Sequence, residues 1–71
     1  MPKLPRVSGA EVVRALERLG FAVVRQRGSH IVLRHESGGC VVPNHRELKV
    51  GTLAGVLKQA GVSAEDFMRA L

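Results

Sequence analysis

Apolar residues recur along the chain at two spacings, and the change between them divides it into elements. Val12, Val13, Leu16 and Leu19 fall three or four positions apart, with Glu11, Arg14, Glu17 and Arg18 on the other face. That spacing predicts an amphipathic helix over residues 9–19. Ser8-Gly9-Ala10-Glu11 in front of it reads as a capping box, and Gly20 is placed to close the helix in a left-handed conformation. The period then shortens. Phe21-Ala22-Val23-Val24-Arg25-Gln26-Arg27 is β-prone and basic at its far end, Gly28-Ser29 can turn, and His30-Ile31-Val32-Leu33-Arg34-His35 forms a second strand. Glu36-Ser37-Gly38-Gly39 reads as another turn, and Cys40-Val41-Val42 as a short third strand stopped by Pro43. Helical spacing returns at Leu53, Val56, Leu57 and Ala60, in a helix starting near Gly51-Thr52 and ending at Gly61. Ser63-Ala64-Glu65-Asp66 offers a further cap, with Phe67, Met68 and Leu71 expected to pack as a last helical turn or two. Residues 1–7, with two prolines and two basic residues, read as an extended arm.

Short connections between three successive strands imply an antiparallel meander. Two helices with one apolar stripe each, and a sheet with one apolar face, are satisfied most simply by placing both helices on the same face. The expected fold is therefore α+β, in the order α-β-β-β-α with a short C-terminal helix, and similar to a double-stranded-RNA-binding domain. The sequence contains no internal repeat or linker, and residues 1–71 are expected to form a single domain. Fold by itself does not fix function.

Composition narrows the setting. Hydrophobic residues make up 45% of the chain, which argues against disorder. No apolar run approaches the roughly 18 residues of a membrane span, and the first residues lack the apolar core of a signal peptide. The lone Cys40 excludes an internal disulfide and suggests a reducing compartment, so a cytoplasmic location is expected. Eleven Lys and Arg against six Asp and Glu give a net charge of +5, which favours anionic partners. Eight of the eleven are arginine, whose fork suits phosphate. With two Phe and no Trp or Tyr, base stacking on aromatic platforms is an improbable mode of recognition.

Among reactive residues, His35, Cys40 and His45 match no paired zinc spacing, so no metal site and no cofactor are expected. Cys40 opens a strand, where a small thiol usually serves packing. No acid is placed to complete a nucleophilic triad with Cys40 or Ser29, Glu47 being the one whose loop position leaves it open. Acid–base chemistry fits better, because an imidazole titrates near neutrality, at about 6.5 when unperturbed. By strand parity Ile31 and Leu33 share one face while His30, Val32 and Arg34 share the other. If the first pair meets the helices, His30 points outward beside Arg25, Arg27 and Arg34, where a phosphate could sit. On position alone, an exposed strand histidine without a role is the plainer reading. Gly28 supplies the backbone freedom of the turn. His45, between the third strand and the second helix, is a phosphate contact, a second proton donor or simply a loop residue. Arg46, Lys49 and Lys58 form a candidate basic rim by that helix, whose N-terminus attracts anions.

The residues Gly20-Phe21, Arg25-Gln26-Arg27-Gly28-Ser29-His30, Val42-Pro43-Asn44-His45-Arg46-Glu47-Leu48-Lys49-Val50-Gly51-Thr52-Leu53 and Leu57-Lys58-Gln59-Ala60-Gly61 follow one another in an order that resembles the HicA (YcfA-like) mRNA interferase toxins. The resemblance spans about residues 8–68. It implies a type II toxin that cleaves mRNA, sometimes tmRNA, halts translation and is neutralised by a HicB antitoxin. It also implies that His30, in the Gly-Ser-His motif, is the essential residue. Many relatives carry a second histidine directly after the first, where this chain has Ile31. The expectation is a metal-independent endoribonuclease with His30 as general base. Arg25, Arg27, Gly28, Ser29, Arg34, His45, Arg46 and Lys49 are the candidate RNA contacts. The free toxin is expected to be a monomer that forms a complex with its antitoxin. A non-catalytic RNA-binding module is the alternative.

Overall fold

The computed structural model describes residues 3–36 and 38–71, so Met1 and Pro2 of the N-terminal arm and Ser37 of the second turn lie outside it. Its elements are α1 (Gly9–Arg18), β1 (Ala22–Arg27), β2 (His30–His35), β3 (Gly38–Pro43), α2 (Val50–Ala60) and α3 (Ala64–Ala70). The strands form one antiparallel sheet in the order β1-β2-β3. The helices cover one face of the sheet: α1 packs on β1 and β3, α2 along β3, and α3 against both helices.

Local chemistry accounts for the helix ends. The Ser8 hydroxyl accepts from the Glu11 amide, and the Glu11 carboxylate accepts from the Ser8 amide, which completes the capping box. Gly61 closes α2 at φ 72°, a conformation that costs a residue with a Cβ. Ser63 caps α3 through the Asp66 amide.

The core lies between the sheet and the helices. Ile31 and Leu33 of β2 and Cys40 and Val42 of β3 are buried against Val12, Leu16, Leu53 and Leu57. Phe67 of α3 has no exposed surface. In contrast to the sequence reading, Met68 and Leu71 remain exposed, and Ala70 is the buried partner of Phe67. The end of α3 is tied to α1, where the Arg18 guanidinium donates to the Ala70 carbonyl at 2.6 Å.

β3 is longer than the apolar run Cys40-Val41-Val42 suggests. Gly38 and Gly39 pair with His35 and Arg34, so both belong to the strand rather than to the turn. A Cβ on Gly39 would stand only 2.5 Å from the Leu33 carbonyl oxygen. Pro43 is the last residue of the strand rather than the one beyond it. The Asn44 amide donates towards the β1–β2 turn, and the Val41 amide donates to the Gln59 side chain on the other edge. By alternation the nitrogen of Pro43 faces that outer edge, where no ladder bond is lost.

Candidate active site

The face of the sheet turned away from the helices is built by cross-strand pairing. His30 stands opposite Arg27 on β1 and Pro43 on β3, and Val32 stands opposite Arg25 and Val41. Directly opposed residues share a face, with Cβ atoms about 4.5–5.5 Å apart. Arg25, Arg27, His30, Val32 and Pro43 thus form one surface, and Ile31 and Leu33 line the core behind it. His30 is exposed, as strand parity predicts.

The turn at one end of this surface holds His30 in register. Arg27 and His30 are the last pair before a two-residue loop, with Gly28 at φ 59° and Ser29 at negative φ, the pattern of a type II′ turn. The Gln26 side chain donates to the Gly28 carbonyl at 3.2 Å and braces the loop. Further along β1, the register shifts between Val23 and Arg25, so Val24 bulges out and is 56% exposed. The irregularity stays away from the Arg27–His30 end.

Residues 44–49 complete that end. The Asn44 amide donates to the Ser29 carbonyl at 2.6 Å, extending β3 alongside the turn. The His45 amide donates to the Pro43 carbonyl at 3.0 Å, and the His45 carbonyl accepts from the Gly9 amide at 2.8 Å. The Leu48 amide donates to the Val7 carbonyl at 2.8 Å. Gly9 permits this docking, since a Cβ there would collide with the Pro43 carbonyl oxygen. A cleft of about 300 Å³ opens beside Pro43, with His45, Lys49 and Thr52 on its walls. Glu47 also lines it, but its carboxylate lies 3.6 Å from the Arg6 guanidinium. α2 begins at this cleft with no side-chain cap and no acidic residue in its first turn, which leaves its amide end electropositive.

Strand pairing and the turn bring Arg25, Arg27, Gly28, Ser29 and His30 together, and His45 and Lys49 line the cleft that begins at Pro43. Arg46 is exposed on the same loop. Arg34 shares the face of His30 but lies roughly 13 Å along β2, four residues at about 3.3 Å each. Lys58 stands in the last turn of α2, at the far end from Lys49, so it does not join the expected rim. Among the described residues no carboxylate is within ion-pair reach of Arg25, Arg27 or Arg34. The face is therefore a field of uncompensated cations.

The other reactive residues are built into the fold. His35 stacks its ring on Phe21 at 4.9 Å between centroids. Cys40 is buried, and that burial pushes its thiol pKa up, which keeps it in the neutral, unreactive form. No group of three or more His, Cys, Asp or Glu is gathered among the described residues. A cavity of about 370 Å³ lies against Glu11, Arg14 and Arg18 of α1, and His30 is not among its lining residues.

Sequence reasoning missed the backbone bonds of Asn44 and Gly9 and the side-chain brace at Gln26. A glycine inside a capping box was the available signal for Gly9. The Ser29 partner of Asn44 and the Gly9 partner of His45 are distant in sequence and left no local mark.

A family model described as HicA toxin of bacterial toxin-antitoxin matches residues 9–62, from the first residue of α1 to just past the end of α2. No curated protein matches the chain. Among the described residues no helix is long and apolar enough to cross a membrane.

Proposed function

The chain belongs to the HicA family of toxins of bacterial toxin–antitoxin systems, and on that premise we propose that it is a metal-independent endoribonuclease of mRNA, with residues 1–71 forming one cytoplasmic toxin domain. The observation that carries this reading is His30 itself. An exposed imidazole stands at the turn end of a cationic sheet face, directly across from Arg27 on one side and from Pro43, which lines a cleft, on the other.

In the proposed reaction, neutral His30 accepts the proton of a ribose 2′-hydroxyl as that oxygen attacks the adjacent phosphorus. The bond from phosphorus to the 5′ oxygen breaks, leaving a 2′,3′-cyclic phosphate and a 5′-hydroxyl. Arg25, Arg27 and Lys49 stabilise the charge that gathers on the phosphoryl oxygens, and Ser29 can donate a hydrogen bond. Arg34 and Arg46 hold flanking phosphates. A HicB-like antitoxin would neutralise the toxin by presenting acidic groups to this face and excluding RNA from it. An adjacent reading frame coding for such a protein is the matching genetic observation.

The test is incubation of purified protein with single-stranded RNA in EDTA, alongside His30→Ala. The expected outcome is cleavage by the parent protein and a loss of about 10²–10⁴-fold in the variant, with unchanged circular dichroism. Full activity in a folded His30→Ala protein overturns the assignment. RNA binding without cleavage by the parent identifies a binding module instead.

A further inference from the structure

The ribonuclease reading leaves the departing 5′ oxygen without a proton donor, and the geometry around Pro43 supplies a candidate. Pro43 stands directly across the sheet from His30. Two residues later the chain turns sharply, with the His45 amide bonded back to the Pro43 carbonyl, and His45 lines the cleft that begins at Pro43. His30 thus precedes Pro43 across the sheet, and His45 follows it on the loop that lines the cleft. Both backbone polar groups of His45 are engaged, the amide to Pro43 and the carbonyl to Gly9, so its main chain is fixed. Its imidazole makes no hydrogen bond or ion pair with the described residues and is exposed. Such an anchored backbone carrying a free side chain differs from an ordinary loop residue, whose side chain commonly serves local turn bonds.

We propose that His45 is the general acid, donating its proton to the leaving 5′ oxygen while His30 takes the proton of the 2′-hydroxyl. This assignment rests on the ribonuclease reading above. In-line displacement places the attacking and departing oxygens on opposite sides of phosphorus. A phosphate lying over Pro43 would meet a base on one side and an acid on the other. The bookkeeping of atoms closes: one proton passes to His30, one leaves His45, the O2′–P bond forms and the P–O5′ bond breaks. Exchange with water resets the pair. Lys49 lines the same cleft, but an ammonium is a much weaker acid than an imidazolium near neutrality. Beside the open amide end of α2, it serves as a fixed positive charge.

The experiment compares the parent protein, His45→Ala and Lys49→Ala on two RNAs. One is the natural strand. The other carries sulfur in place of the 5′ oxygen at the mapped cleavage site, giving a thiolate leaving group that needs no protonation. His45→Ala should lose about 10²-fold or more on the natural strand and stay within a few-fold of the parent on the sulfur-substituted one. Its rate on the natural strand should also lose the high-pH decline that a required protonated acid imposes. Equal losses on both RNAs make His45 a binding contact and overturn the acid assignment alone. A leaving-group effect in Lys49→Ala but not in His45→Ala moves the role to Lys49. A parent protein that leaves both strands intact overturns the ribonuclease reading, and this assignment with it.

Discussion

The approach of Pro43 and Asn44 to the first turn of α1 is possible only because residue 9 has no side chain. A Cβ there would lie 2.9 Å from the Asn44 Cα and closer still to the Pro43 carbonyl oxygen, and backbone on both sides cannot swing away. Gly9→Ala should therefore lower stability by about 1–3 kcal/mol, the usual cost of overpacking, despite the better helix propensity of alanine. Thermal unfolding would check this, and an unchanged or raised Tm would contradict it. The same variant should lose cleavage activity at temperatures where it is still folded, because the displaced segment carries His45. Cys40 and His35 make the opposite point at this scale. Both were chemically eligible residues, and packing claims them, one in the core and the other against Phe21.

Among the elements, α1 has the most explicit N-terminus. The Ser8 amide, and to a lesser degree its hydroxyl, hydrogen-bond Glu11 and hold its carboxyl below the usual range, with a smaller contribution from Arg14. A folded-state pKa below the unfolded one means that this contribution is present above the unfolded carboxylate pKa, near 4.3. It is lost as pH falls through the lower folded value. Glu11→Gln should accordingly be less stable than the parent at neutral pH, with the gap closing as the solution is acidified. Denaturant titrations at several pH values measure this, and a gap that widens in acid would refute it. Capping boxes and closing glycines were legible in the sequence because their partners lie within three or four residues. The bulge at Val24 was not, since it exists only in register against β2. The extension of β3 through Gly38 and Gly39 was hidden for a related reason: glycines look like a turn until a neighbouring strand pairs with them. The position of α3 is legible, but which of its apolar residues are buried depends on packing against α1 and α2, and Ala70 rather than Met68 or Leu71 joins Phe67 in the core.

Across the whole molecule, charge and topology act together. The cationic residues of the outer sheet face have no carboxylate neighbours among the described residues, so an RNA strand would displace counterions rather than internal ion pairs. Binding of single-stranded RNA to His30→Ala, which keeps the substrate whole, should weaken linearly in log–log form as salt rises. Neutralising Arg25 or Arg27 should reduce that slope by about 0.7 each. Fluorescence anisotropy across a salt series reads this directly, and an unchanged slope would remove those arginines from the contact set. Strand parity sufficed to aim His30 outward, because burial of Ile31 and Leu33 leaves the alternate positions no other choice. The neighbours of His30 from residues 44–49 could not be read, since a loop has no period and its placement here depends on backbone bonds to Val7, Gly9 and Ser29. Those bonds have a consequence for biosynthesis. They join the beginning, middle and later part of the chain, so the hairpin carrying His30 leaves the ribosome before the segment that carries His45. On the proposed mechanism, a nascent chain with only its hairpin exposed would still lack the segment that carries His45. RNA cleavage by the proposed pair of histidines would then begin only after the chain beyond β3 has emerged and docked.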